Sequence, residues 1–144
     1  SDCRLTDLLI VPGGGSAIPT TEENIQEKLY TLAMRGNEVF RYAVAHMRDS
    51  ALSLINRTGI KPEDVGLVIP HQANLRIIDA TGRRMGLSAD KILIDIEKFG
   101  NTAGTSIPLA LWDFKNKFKK GDTLIFSAFG AGFTWGSILY RWAY

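Results

Sequence analysis

The chain has 144 residues, of which 45% are hydrophobic and 22% charged, and its formal net charge is +2. This length suits one domain with a sizeable core, and so small a charge gives no reason to expect nucleic acid as a partner. No apolar run reaches the roughly 20 residues that a membrane span needs, so we expect no membrane insertion. The single cysteine excludes an internal disulfide and a thiolate metal cluster. Two histidines leave little for a histidine-based site, so we expect no metal site.

The first 35 residues are predicted to be a connecting segment that precedes the main module. Leu8 to Val11 favour a short strand, which Pro12 and a run of three glycines would end. The glycine run lacks the lysine of a phosphate-binding loop, so we interpret it as a flexible loop. A short helix is expected from Thr20 through Leu32. Because the sequence begins without a methionine or an apolar leader, we expect a chain whose start has been cut and that carries no secretory signal.

Residues 36–144 are predicted to form the main α/β module. Apolar residues recur at three- and four-residue spacing between Phe40 and Ile55, which predicts a long helix that ends near Gly59. Val65 to Pro70 is apolar throughout, as expected for a strand that is covered on both faces. A second helix is expected after Asn74, followed by a strand over residues 92–96.

The last third of the module continues this alternation. A polar loop from Phe99 to Ser106 leads into a third predicted helix over residues 107–118. Two strands are expected next, over residues 123–128 and 133–140, with a glycine-rich turn between them. Alternating elements of this kind predict an α/β fold: a mostly parallel mixed sheet of about five strands, helices on its faces, and an antiparallel hairpin at the end.

Polar groups follow three of the predicted strands, at the edge where ligands of such sheets bind. They are His71, Asn101 and the turn Gly130-Ala131-Gly132. A neutral imidazole, a carboxamide and backbone N–H groups can each donate a hydrogen bond to an oxygen that gains negative charge. The set contains no nucleophile, because Cys3 stands at the start of the chain, ahead of the first strand. On residue type alone, His71 could equally be a strand-end histidine and Asn101 a turn residue.

Four segments of the chain can be compared with known families: MRGNEVFRYAV, VIPHQANLRI, KFGNTAGTSIPLAL and SAFGAGFTWGS. They resemble the second half of the class III beta-ketoacyl-acyl-carrier-protein synthases, which are condensing enzymes of the thiolase fold, and they stand in the order that the family has them. The resemblance implies that an acyl group from acyl-CoA is joined to malonyl-acyl carrier protein with loss of carbon dioxide, which initiates fatty acid synthesis. It also implies acyl-CoA and acyl carrier protein as partners, no cofactor, a cytoplasmic location and a homodimer in the full-length enzyme.

The resemblance assigns roles to individual residues. His71 in PHQAN and Asn101 in GNT match the family's catalytic pair, which stabilises an enolate oxygen. A second set matches positions that line the pantetheine channel or adjoin the reacting groups. This set consists of Gly36, Asn37, Phe40, Ala73, Asn74, Phe129 and Ala131. Arg76 matches an arginine linked to docking of the carrier protein, and Arg83 and Arg84 add positive charge on the same helix.

Several of these residues have a structural interpretation that competes with the functional one. Asn37 could cap a helix, Phe40 and Phe129 could be core aromatics, and the arginines could lie on a solvated helix face. Ala131 stands where familiar relatives have glycine, so the acyl-chain preference stays open.

The family's nucleophilic cysteine lies upstream of the matching region, in a first half that this sequence does not contain. We therefore predict that the chain alone has no condensing activity and that Cys3 is a bystander. Two other functions stay open at this point. One is a related thiolase-superfamily enzyme of the polyketide type, and the other is a non-catalytic module that docks carrier proteins.

Overall fold

The computed structural model describes the whole chain, from Ser1 to Tyr144. The helices are α1 (Glu22–Gln26), α2 (Gly36–Thr58), α3 (Leu75–Arg84), α4 (Ile96–Phe99) and α5 (Ser106–Asp113). The strands are β1 (Leu9–Ile10), β2 (Ala33–Met34), β3 (Leu67–Pro70), β4 (Thr123–Gly130) and β5 (Thr134–Arg141). Short 3-10 helices cover Cys3–Leu8, Pro62–Asp64, Ala89–Lys91, Ala103–Thr105 and Lys115–Lys117. None of the helices is both long and apolar enough to cross a membrane.

The chain is divided into two compact units by its internal contacts. The first contains residues 1–42 and 130–134, and the second contains residues 43–129 and 135–144. This division describes packing, and the proposed division of the sequence between residues 35 and 36 stays a prediction.

The first unit is built on a small antiparallel pair, in which Leu9 of β1 lies opposite Met34 of β2. Asp2 and Phe133 exchange two backbone hydrogen bonds of 2.8 and 3.0 Å, which fasten the start of the chain to the segment after β4. The Phe133 side chain is fully buried, and its ring centroid lies 5.7 Å from that of Tyr42.

The helix expected over residues 20–32 is much shorter than predicted. Thr21 and Asn24 form a reciprocal capping box at the start of α1, as the polar sequence favours. The helix ends at Gln26, and Lys28 has a φ of 59°, a left-handed conformation that cannot continue an α-helix. The prediction of a helix through Leu32 is therefore wrong.

The second unit contains a three-stranded sheet in the order β3-β4-β5. β3 and β4 are parallel, with Leu67 opposite Leu124 and Pro70 opposite Ser127. Only three residues separate β4 from β5, a connection so short that these strands must be antiparallel. The predicted mixed α/β architecture is confirmed, although the five strands are divided between two sheets.

In place of the strand predicted over residues 92–96, the structure has a single parallel bridge between Ile92 and Val68. The chain leaves the sheet edge at Asp95, whose carbonyl accepts hydrogen bonds from the N–H groups of Lys98 and Phe99. These bonds form α4, so a helical turn replaces the end of the expected strand.

The sheet is covered on both faces within the second unit. Val68 belongs to a core cluster with Ala51 and Ile55 of α2, whereas Ile69 belongs to a cluster with Ala110 of α5. Neighbouring residues of an extended strand point to opposite faces, so each side of β3 meets a different helix. This burial explains the uninterrupted apolar run in the sequence.

Two helix boundaries differ from their predictions. α2 begins at Gly36, so Asn37 is its second residue and not the cap that precedes it. The third predicted helix ends at Asp113, because Phe114 leaves the helical conformation with φ −98° and ψ 10°. The chain then forms a 3-10 turn that brings Phe118 into the core, where it is 8% exposed.

Candidate active site

His71 is held at the carboxyl end of β3. Its backbone N–H donates to the carbonyl of Ser127 in β4 with a length of 2.8 Å, so this residue continues the parallel pairing beyond Pro70. The chain then turns, and Asn74 caps α3 by accepting a hydrogen bond from the Arg76 N–H at 2.9 Å. A sheet on one side and a capped helix on the other thus fix the backbone on which the imidazole is carried.

The His71 imidazole is half-buried and contacts one hydroxyl group. Its Nδ1 lies 2.6 Å from the Oγ of Ser106, which is itself only 2% exposed. The same Oγ accepts a hydrogen bond from the Gln72 N–H at 3.2 Å. We assign the hydroxyl hydrogen to the contact with His71 Nδ1, and in this tautomer the neutral ring carries its own hydrogen on Nε2. Burial lowers the pKa of His71 from its ordinary value of 6.5, so the ring is neutral at pH 7.

Asn101 is oriented by its own loop. Its Oδ1 accepts a hydrogen bond of 3.0 Å from the N–H of Ala103, a residue with a positive φ of 52°. The oxygen of the carboxamide is therefore occupied, and its NH₂ group is left to donate. Asn101 is exposed, so this donor can reach a bound molecule.

The loop that carries Asn101 is attached to the strand end that carries His71. Ser106, five residues after Asn101, contacts both His71 and Gln72. Each of the two side chains can offer one neutral donor, His71 its Nε2–H in the assigned tautomer and Asn101 its NH₂ group. Groups of this kind stabilise an oxygen on which negative charge develops.

The predicted substrate-binding residues are distributed over both compact units. Gly36, Asn37, Phe40 and Ala131 belong to the first unit, where all except the half-buried Phe40 are exposed. Ala73, Asn74 and Phe129 belong to the second unit. Ala73 and Asn74 directly follow His71 and Gln72, at the same strand end.

Phe129 occupies a packed position in the second unit. It is 7% exposed, and its ring is nearly parallel to that of His46, with centroids 6.3 Å apart. His46 also stacks on Trp135, at 3.8 Å between centroids. Packing therefore accounts for Phe129, and its substrate-binding role stays a prediction.

The three candidate docking arginines, Arg76, Arg83 and Arg84, all lie on α3 and are exposed. The opposite side of α3 is buried through Ile78 and Gly82, as its apolar spacing predicts. No group of three or more His, Cys, Asp or Glu side chains that could hold a metal ion occurs in the chain.

Sequence reasoning missed Gln72 and Ser106. Gln72 is completely buried, which is unusual for a glutamine and not visible from its position after a histidine. Ser106 starts a helix, where serine is common for purely local reasons. Their contacts join residues 34 and 35 positions apart, and no local pattern predicts such pairings.

Asp95, near the start of the same loop, is a buried carboxylate whose Oδ2 has no hydrogen-bond partner. Burial, and then the nearby charge of Asp113, raise its pKa above the ordinary value of 3.8. The folded state thus binds a proton more readily than the unfolded state, and this residue destabilises the fold increasingly as pH rises from the ordinary pKa of 3.8 to the raised pKa. We expect Asp95→Asn to increase the free energy of unfolding at pH 7 by about 1–2 kcal/mol.

Urea denaturation at pH 7 and at a pH near 4 tests this expectation. The gain should shrink at the acidic pH, where the Asp95 carboxyl becomes protonated. Asp49→Asn is the matched control, because the Asp49 side chain is 58% exposed and its ion pair with Arg48 lies at the surface. An Asp95→Asn protein that is less stable than the wild type at pH 7 would contradict the expectation.

Comparison with known proteins places this chain in a family. Residues 55–142 match the family model described as 3-oxoacyl-[acyl-carrier-protein (ACP)] synthase III C terminal. The chain belongs to the 3-oxoacyl-[acyl-carrier-protein] synthase III family. The resemblance carried by the four sequence segments is thereby confirmed.

Synthase III proteins of several bacteria are similar to this chain over nearly all its length. The beta-ketoacyl-[acyl-carrier-protein] synthase III of Porphyromonas gingivalis is 45% identical over 138 residues, which are 96% of this chain and 41% of that protein. Synthase III 2 of Bacteroides thetaiotaomicron is 44% identical over 144 residues, covering 100% of this chain and 43% of the relative. The chain thus spans about two fifths of the length of these synthase III relatives.

Solved synthase III structures share the fold. The crystal structure of 3-oxoacyl-(acyl carrier protein) synthase III from Pseudomonas aeruginosa PAO1 superposes with a TM-score of 0.86 at 34% identity, covering 100% of this chain and 42% of that one. The corresponding structure from Aquifex aeolicus VF5 gives a TM-score of 0.83 at 35% identity, with 99% and 42% covered. The predicted thiolase-like α/β fold is confirmed.

Proposed function

We propose that this chain supplies the histidine and asparagine of a condensing enzyme that joins an acyl group from acyl-CoA to malonyl-acyl carrier protein and so initiates fatty acid synthesis. The observation that carries the proposal is a pair of side chains that each keep one donor, the Nε2–H of His71 in the assigned tautomer and the NH₂ of Asn101. Each is left to donate because Ser106 and Ala103 occupy the other polar atom of its side chain. The relatives named as synthase III enzymes support the same reaction class.

The donors fit the decarboxylation step. The bond between the malonyl methylene carbon and its carboxylate breaks, and carbon dioxide leaves. The electron pair of that bond moves into an enolate, whose former thioester oxygen becomes anionic. Two fixed donors at that oxygen lower the barrier, and removal of one such donor typically costs about 3–4 kcal/mol. His71 has only to donate, so the neutral ring suffices.

Carbon–carbon bond formation completes the reaction. The enolate carbon attacks the carbonyl of an acyl group held as a thioester on a cysteine, and the cysteine thiolate leaves. We place that cysteine in the part of the full-length enzyme that precedes this chain. Acyl-CoA and acyl carrier protein are the proposed partners, the reaction is proposed to need no further cofactor, and the full-length enzyme is proposed to be a homodimer.

Cys3 is not part of this proposal. It is a free, exposed cysteine at the start of the Cys3–Leu8 turn, and its carbonyl accepts the Thr6 hydroxyl at 2.6 Å. The chain alone is accordingly expected to be inactive. Acyl transfer from an acyl-CoA onto Cys3, followed by condensation with malonyl-acyl carrier protein, would overturn that expectation.

The proposal is tested on the complete gene product, meaning the polypeptide encoded by the open reading frame that contains this chain. Incubation with acyl-CoA and malonyl-acyl carrier protein should give the chain-extended acyl carrier protein, detected by mass spectrometry, together with one carbon dioxide per turnover. Binding of the carrier protein without condensation would instead identify a docking module. Condensation only with acyl groups foreign to fatty acid initiation would identify an enzyme of the polyketide type.

Arg76→Glu in the complete gene product should lower kcat/KM for malonyl-acyl carrier protein. Exposed Arg76, with Arg83 and Arg84, attracts an acidic carrier protein mainly through long-range, salt-sensitive forces. The loss should be about tenfold at low ionic strength and should diminish in 0.5 M salt. Arg57→Glu in the last turn of α2 makes the same charge change at an exposed residue outside α3. If Arg76→Glu leaves carrier-protein kinetics unchanged, the docking role of α3 is wrong.

A further inference from the structure

Gln72, the residue after His71, has a fully buried side chain in which every hydrogen bond goes to the backbone. Its Nε2 donates to the carbonyls of Pro70, at 2.8 Å, and of Leu93, at 3.1 Å. Its Oε1 accepts from the N–H of Asp95 at 3.1 Å. The carboxamide therefore ties the end of β3 to the segment that leads into the Asn101 loop. A buried group satisfied in this way is costly to replace and holds its partners in a defined geometry.

Ser106 makes the corresponding connection at the other end of that loop. Its Oγ accepts from the Gln72 N–H at 3.2 Å and lies 2.6 Å from His71 Nδ1. The segment between Asp95 and Ser106, with Asn101 near its middle, is thus fastened at both ends to two adjacent residues. Within the segment, the Gly100 N–H donates to the Ile96 carbonyl at 2.8 Å. The Thr105 N–H donates to the Thr102 carbonyl at 3.2 Å.

We infer that Gln72 and Ser106 are positioning residues for the proposed reaction, because together they set the distance and orientation between the His71 and Asn101 donors. The inference rests on the proposed function, in which both donors act on one oxygen. Gln72 fixes where the Asn101 loop leaves the sheet. Ser106 fixes where the loop returns, and it holds the His71 ring through Nδ1.

A direct chemical role for Ser106 is excluded by its surroundings. A serine beside a histidine resembles the nucleophile and base of hydrolases. However, this hydroxyl is 2% exposed, already accepts a bond from Gln72, and meets the histidine at Nδ1, so a substrate carbonyl cannot reach it. Ser106 acts on the reaction only through His71 and the loop.

Ser106→Ala, compared with Ser127→Ala and Ser106→Thr, tests the inference in the complete gene product. Ser127 is a matched control, because its hydroxyl is equally buried but bonds to the Met47 carbonyl and to Ser137. We expect Ser106→Ala to lower kcat for malonyl thioester decarboxylation about tenfold with little change in KM, since misplaced donors lose rate more than binding. Ser106→Thr, which keeps the hydroxyl, should recover most of the rate, and Ser127→Ala should stay near wild type.

Two physical readouts separate positioning from general destabilisation and need no activity. With ¹⁵N-labelled histidine, the His71 Nδ1 resonance should move in Ser106→Ala and stay in place in Ser127→Ala. Amide hydrogen exchange across residues 96–105 should accelerate in Ser106→Ala and more strongly in Gln72→Met, which removes all three side-chain bonds at similar volume. If Ser106→Ala keeps the kcat, the His71 Nδ1 resonance and the amide exchange rates of the wild type, the inference is wrong.

The outcomes also distinguish this inference from the proposed function. If the complete gene product does not condense at all, the proposed function fails, whereas the resonance and exchange measurements still show whether Ser106 and Gln72 hold the loop and the ring. If it condenses normally and Ser127→Ala slows it as much as Ser106→Ala does, the positioning role fails and the proposed function stands.

Discussion

Replacement of His71 by alanine in the complete gene product should lower kcat for decarboxylation of malonyl-acyl carrier protein by about 10²–10³-fold. The substitution removes the ring that Ser106 contacts through Nδ1, and with it one of the two proposed donors for the enolate oxygen. Acyl transfer from acyl-CoA, which forms no enolate, should be much less affected. Carbon dioxide release and acyl transfer are measured separately on the same preparation.

His46→Gln is the matched control for this prediction. His46 is the other of the two histidines in the chain, and it is a half-buried residue of α2 that stacks on Trp135. Its replacement changes packing without removing a proposed donor, so kcat should stay close to that of the wild type. Equal losses in the two variants would show that the His71 effect is structural.

Ile69→Ala should cost about 2–5 kcal/mol in free energy of unfolding. Ile69 is completely buried in the middle of β3, where it packs with Leu124 of β4 and Ala110 of α5. The truncation leaves a cavity between the sheet and the helix that follows the Asn101 loop, and neither the paired strands nor the helix can collapse into it. Urea denaturation followed by circular dichroism gives the change.

The same truncation at Ile138 provides the control. Ile138 lies on the edge strand β5 and is 62% exposed, so little apolar area returns to water when it is shortened. Its cost should stay below about 1 kcal/mol. Similar costs at the two positions would contradict the packing described for β3.

Strong periodic patterns predicted the fold well. The apolar stripe from Phe40 to Ile55 and the run ending at Pro70 became α2 and β3, because burial on one helix face or on both strand faces leaves a clear signature. The short apolar run at residues 92–96 carried a weaker signal. There the hydrogen bonds to the Asp95 carbonyl decide the local structure, and they depend on where the segment leaves the sheet.

The candidate site was predictable only in part. The sequence segments identified His71 and Asn101 by resemblance, and the rule that ligands bind at strand ends placed them at one edge. The groups that orient them were not predictable, because Gln72 and Ser106 act through contacts across 21 to 35 residues. The lowered pKa of His71 likewise follows from burial, which only the fold provides.

The proposed mechanism requires that the two donors act together on one oxygen. A double-mutant cycle on the decarboxylation of malonyl-acyl carrier protein measures the coupling between them directly. His71→Ala, Asn101→Ala and the double variant of the complete gene product are compared by kcat. Donors that share one enolate oxygen should be coupled, so the double variant should lose less than the summed single effects, by about 1 kcal/mol or more. If the loss in the double variant equals the sum of the two single losses to within about 0.5 kcal/mol, His71 and Asn101 act on separate atoms and the proposed mechanism is wrong.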